Sequence, residues 1–310
     1  MRGMFRHAFA VLAVGLLCAA GLVQADELKP FVLAYTTQGD VAKVVDEVKG
    51  KLTGAGFEIA GAYSPYDDAT VLAVTNDALR QAAAKSEFGG YGAAQRVSVT
   101  KVNDQVQVAY TNPVYMANAY RMAGDLQSVA DRLAQALGRE KAFGSEDGMS
   151  ADDLRGYHYM FGMEYFTDPS ELAEYDSYDD AVKAVEANLA KGVAGVTKVY
   201  RVDIPGKDET LFGVGMKSSN DKEKYMDDRY IMNEIDFKPL RSTAHLPYDM
   251  LVSGKKVYAL YARFRIAIDF PDLSMMGSHS FMNIMDSPAA IEKALILAAG
   301  GKLTAEHWDN

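Results

Sequence analysis

Residues Ser274 to Met285, SMMGSHSFMNIM, carry four methionines and a histidine. Thioether and imidazole are soft ligands that suit Cu(I). On a helix, Met275, His279 and Met282 fall at i, i+4 and i+7 and share one face. Met275, Met276, His279 and Met282 therefore form a candidate metal site, with Cu(I) as the implied cofactor. The density is regional: ten of the 15 methionines lie between Met160 and Met285. The competing reading is that methionine fills core space beside aromatic rings. His158 and Met160 share a strand face, whereas Met160 and Met163, at odd separation, do not.

A second candidate is an aromatic pocket. Tyr157, Tyr159, Phe161, Tyr165, Phe166, Tyr225, Tyr230 and Phe237 crowd the second half of the chain. Apolar walls with a few polar tips are the usual small-molecule site; core packing is the alternative. Other chemistry has little to work with. There is no Gly-x-Ser-x-Gly elbow to expose a serine nucleophile. Gly89-Gly90-Tyr91-Gly92 lacks the Lys-Ser pair and long helix of a phosphate cradle. Asp221, Glu223, Asp227 and Asp228 lack EF-hand spacing and read as a solvated loop.

Residues 1–25 read as a signal peptide. Arg2 and Arg6 precede an apolar run from Phe9, and Val23-Gln24-Ala25 ends on a small residue. Leu16 and Leu17 stand before Cys18 where a lipoprotein signal has small residues, so lipidation is not expected. Cleavage removes the single cysteine and leaves no thiolate chemistry. It also leaves 30 basic against 42 acidic residues, which argues against a nucleic-acid partner. No later apolar run reaches about 18 residues, so no integral membrane anchor is expected. The implied compartment is the periplasm, with secretion as the other destination of such a leader.

The remaining chain must position these residues by burial alone. The spacing of Val41, Val44, Val45, Val48 and Leu52 predicts an amphipathic helix after a strand at 28–36. Strands follow near 57–59 and 70–75, then an Ala-rich helix over 76–86. Arg96 to Pro113 alternates about Asn103-Asp104 as a hairpin. Asp125 caps a helix with Leu126, Val129, Leu133 and Leu137 inward. The second half reads as a similar series: a strand at 157–166, an extra loop at 167–178, a helix capped by Asp179, and strands at 196–202 and 210–216. A polar insertion at 217–245 precedes a hairpin from Tyr248 to Pro271, and Asp286-Ser287-Pro288 starts a last helix.

These elements predict an α+β fold of two related domains, each a mostly antiparallel sheet covered by helices. The boundaries are 26–140 for the first domain, 141–153 for a linker, 154–301 for the second domain and 302–310 for a tail. Gly56-Phe57, the Arg96 to Pro113 hairpin, Leu246-Pro247 and Phe270-Pro271 resemble the bacterial "domain of unknown function 302" group, in two tandem copies. The resemblance implies compact α+β domains that pack as a tight pair, and it supplies no activity. The second half departs from it by lacking Gly-Phe and by carrying the insertion.

The functional expectation is an exported binding protein for a small apolar molecule or Cu(I). An enzyme with a site between the domains is the second class. The third is a protein-interaction or homo-oligomerising module that uses 217–245 as its contact surface.

Overall fold

The computed structural model describes residues 27–160 and 162–304. The leader at 1–25, Phe161 and the end of the tail lie outside the described residues. The fold is α+β, with two antiparallel sheets.

The first half opens with β1 (Phe31–Thr37) and α1 (Val41–Gly54). Asp40 caps α1 by accepting from the Lys43 amide, and Val44, Val45, Val48 and Leu52 are buried, as their spacing predicts. β2 (Glu58–Tyr63), β3 (Ala69–Thr75) and α2 (Asp77–Ala84) follow. β4 (Gln95–Val102) and β5 (Gln105–Thr111) form the expected hairpin, turning at Asn103 with φ 55°. α3 (Pro113–Ala119) and α4 (Gln127–Leu137) complete the cover. Residues 141–153, read as a linker, do more than connect. β6 (Lys141–Phe143) pairs with β1, and α5 (Ala151–Arg155) follows.

The second half places its first strand later than predicted. Residues 157–160 and 162–168 form an irregular strap, and β7 (Ser170–Glu174) lies in the stretch read as a loop. Only from Ser170 do inward and outward side chains alternate, with Ser170 and Leu172 buried. α6 (Tyr178–Lys191) is capped by Ser177, two residues before the expected Asp179. β8 (Val196–Asp203) and β9 (Glu209–Met216) agree with expectation. The insertion contains α7 (Asp228–Ile235), which buries Ile231, Met232 and Ile235. The second hairpin is shorter than predicted: β10 (Tyr248–Ser253) and β11 (Lys256–Ala259) end before α8 (Ala262–Asp269). The run ARFRIAID is buried on nearly all sides, and periodicity cannot separate a short buried helix from a strand. α9 (Ser287–Ala299) closes the chain with proline in its first turn.

The first sheet runs β2-β3-β4-β5-β1-β6 and the second β7-β11-β10-β9-β8. Read from the other edge, the second order is β8-β9-β10-β11-β7. The first five strands of the other sheet occupy the same chain positions. The edge strands β2 and β8 approach each other where both are bulged, at Ala60 and Val199. Gly61 is required there, because a Cβ would lie 2.2 Å from the Val199 carbonyl oxygen.

The largest apolar cluster draws on both halves. It joins Val48, Leu72, Val97 and Tyr110 to Tyr200, Leu211, Leu251 and Phe264. A polar seam runs through it. Arg96 on β4 pairs with Asp249 on β10, and the Tyr200 hydroxyl donates to the same carboxylate at 2.6 Å. Arg265 lies over the Tyr248 ring and donates to the His245 carbonyl at 2.6 Å. Burying these charges is tolerable because each finds a partner.

Candidate functional site

The strap at 157–168, the loop at 272–286 and α9 enclose an open cleft of about 870 Å³. Its apolar lining is Tyr159, Met163, Met226, Phe281, Met285 and Leu297. The strap and loop are held together across its edge. The Tyr159 hydroxyl donates to Met275 Sδ at 2.7 Å, and the Tyr159 ring lies 6.3 Å from that of Phe281. The strap has no ladder to hold it, so these contacts and Arg263 fix it instead. Arg263, the second residue of α8, donates through Nε to Glu164 at 2.8 Å and lies over the Tyr261 ring. Partial burial works against the Glu164 charge, but the Arg263 hydrogen bonds outweigh it and hold the carboxyl below its usual range.

The cleft is also charged, and evenly so. Lys222, Arg263 and Lys293 line it with Glu223, Asp286 and Glu292. Glu292 accepts from the Ser170 hydroxyl at 2.6 Å, which anchors α9 to the end of β7. Burial, and then the Glu292 charge, push the Tyr261 hydroxyl up, so it remains a neutral donor in physiological conditions. An apolar floor with balanced charge at the rim suits a molecule with an apolar body and a neutral or zwitterionic polar end.

The predicted metal ligands sit beside this cleft, in a different geometry from the one their spacing offered. Residues 272–286 form a loop with one short 3-10 turn at Phe281–Ile284, so the shared helix face does not exist. Gly277 (φ 108°) and His279 (φ 55°) adopt left-handed conformations that a helix excludes. The loop nevertheless brings Met275 and Met282 together, since the Met282 amide donates to the Met275 carbonyl at 3.2 Å. His279 stacks on Phe237, and its Nδ1 meets the Glu234 carbonyl at 3.1 Å. Met276 is 75% exposed. Among the described residues, no group of three or more His, Cys, Asp or Glu is placed to hold a metal ion.

The predicted aromatic pocket is dispersed. Tyr159 lines the cleft, whereas Phe166 stacks on Tyr120 and Tyr157 packs edge-on against Phe264. Tyr165 faces His158, and Tyr225 and Tyr230 meet each other on the insertion. An arrangement that spacing did not suggest is Asp269–His245–Tyr248. His245 Nδ1 lies 2.6 Å from Asp269 and Nε2 lies 3.4 Å from the Tyr248 hydroxyl. All three are fully buried, with no path for a substrate, and burial pushes the imidazole down against the pull of Asp269. Sequence reasoning also missed Glu292, Lys293 and Leu297, which α9 presents to the cleft from its less buried face.

In comparisons with known proteins, no family model, no curated protein and no solved structure matches the chain. The family resemblance therefore rests on the residues quoted for it. No helix among the described residues is long and apolar enough to cross a membrane.

Proposed function

We propose that the chain is an exported binding protein that holds a small amphipathic molecule in the cleft between the 157–168 strap and α9. One observation carries this reading. The large apolar side chains left exposed among the described residues are Met160, Tyr165, Phe237, Met275, Met276, Met282, Met285 and Leu297, and all lie in the second half. A concentration of exposed apolar groups on one part of a surface marks an interaction site. Methionine suits it, because an unbranched thioether adapts to ligands of varied shape. The test is native mass spectrometry of the processed chain purified from the periplasm. The expected result is a co-purifying small molecule that is lost in a Met285→Glu variant.

A second reading is that the exposed loop binds Cu(I) through Met275, Met282 and His279, with Met276 adjacent. It is favoured by the backbone hydrogen bond that sets Met275 beside Met282. The Nδ1 contact of His279 with a carbonyl also leaves Nε2 to take another partner, as a histidine ligand requires. Competition titration against a Cu(I) chelator tests it: His279→Ala should weaken binding, and equal affinity in the variant removes the reading.

The periplasmic assignment rests on the leader. We further infer that the two halves are related copies of a domain resembling the "domain of unknown function 302" group. The shared strand order and the paired edge bulges support this, and the insertion is then an addition to the second copy.

A further inference from the structure

Two further hollows continue the strap cleft. A small one, of about 40 Å³, lies between α8, the strap and the 272–286 loop, and shares Tyr159, Arg263 and Phe281 with the cleft. It shares Phe270 and Leu273 with an open hollow of about 510 Å³. That third space lies where the segment after α7 meets the edge strand β6. The three therefore lie in series, and each step is walled by side chains common to both neighbours.

Apolar groups follow this path on the surface. Of the eight large apolar side chains left exposed among the described residues, four line it. Met285 and Leu297 stand in the cleft, Met275 at the small hollow and Phe237 at the third. Single exposed apolar residues are ordinary, but a line of them along connected hollows marks a contact surface. The polar tips at the small hollow are already engaged. The Tyr159 hydroxyl donates to Met275 Sδ and Arg263 to Glu164, so ring and stem are what remain for a ligand. The third hollow has Phe143, Ile235 and Leu240 in its wall. Asp236 keeps its carboxyl buried, on the Ser242 amide and the Thr243 side chain. At the rim of the same hollow, Lys238 pairs with Asp272 and Lys29 donates to the Glu146 carbonyl.

We propose that the ligand is a single-chain lipid. Its neutral or zwitterionic head sits in the strap cleft, and its alkyl tail runs under the 272–286 loop into the hollow at β6. This rests on the strap cleft being the ligand site and specifies the class of molecule it takes. A ligand confined to the cleft would leave Met275 and Phe237 in water, whereas a tail covers both. The small hollow is the narrow point, which suits an unbranched chain and obstructs a ring system. Each methylene drawn into the series leaves water, so affinity grows with chain length.

The experiment is calorimetric titration of the full processed chain with octyl-, decyl- and tetradecylphosphocholine, each below its micelle threshold. Affinity should climb by about threefold per added methylene, so the tetradecyl compound should bind at least about a hundredfold more tightly than the octyl. Leu240→Trp fills the hollow at β6 and lies outside the strap cleft. It should weaken tetradecyl binding by about tenfold or more and leave octyl binding unchanged. Leu273→Trp, at the narrow point, should do the same. Both leucines are only partly buried, and unchanged octyl binding shows that a variant is folded. Met285→Glu should weaken all three compounds. The proposal is overturned if affinity does not rise with chain length, if none of the three binds, or if both tryptophan variants hold the tetradecyl compound as tightly as wild type. A flat length series, or no binding beside a natural adduct that Met285→Glu removes, overturns the lipid assignment and leaves the cleft as the ligand site.

Discussion

At the scale of single residues, the molecule concentrates its polar groups where the halves meet. Arg96 and Asp249 are both 2% exposed in their side chains and depend on each other. Removing one partner strands a charge, so Arg96→Met should destabilise the fold by about 3–5 kcal/mol. The double variant Arg96→Met/Asp249→Leu should recover much of that loss, as chemical denaturation can measure. Asp228 has a different character. Its Oδ2 accepts from the Tyr63 hydroxyl at 2.7 Å and from the Met216 amide, but burial dominates and pushes the carboxyl up to about 7. The folded chain then holds a proton that the unfolded chain releases near the ordinary carboxylate range. This contribution is greatest in acid and declines as pH rises towards 7. Asp228→Asn should remove that decline, so the variant should gain thermal stability relative to wild type between about pH 5 and about pH 8. A difference that stays constant with pH contradicts the assignment.

At the scale of elements, regular amphipathic segments were legible and irregular ones were not. α1 follows directly from its apolar spacing, because it has one buried and one exposed face, and the β4–β5 hairpin follows from its polar/apolar alternation about Asn103-Asp104, although nearly all of it is buried. α8 was misread because Phe264 to Asp269 are all buried, so no polar face reveals its period. The strap at 157–168 was misread because aromatic residues favour strands wherever they occur, although its register is set here by contacts from Arg263 and Met275. The site suffered the same fate: Met275, His279 and Met282 were found by composition, and their relation through a loop could not be. The insertion is ordered by α7, whose Ile231 is 1% exposed. Ile231→Ala should cost about 2–4 kcal/mol, a core-sized loss that an exposed loop would not show. Lys222→Ala, at the exposed start of the same insertion, should change stability by less than about 0.5 kcal/mol.

At the scale of the whole molecule, the shared core bears on how the halves behave. Leu72 and Val97 pack in one cluster with Leu211 and Leu251, so neither half buries its apolar face alone. The chain should unfold in urea as one transition, with fluorescence and circular dichroism superimposed. Two resolved transitions would indicate halves that fold independently. Large exposed apolar groups among the described residues are segregated to the second half, and two of them, Met285 and Leu297, line the strap cleft. That asymmetry is the basis for placing the ligand in the strap cleft. The most direct test is native mass spectrometry of the periplasmic chain beside its Met285→Glu variant. The account predicts a small-molecule adduct on the wild type and none on the folded variant. An empty wild-type mass, or an adduct of equal occupancy on both, contradicts it.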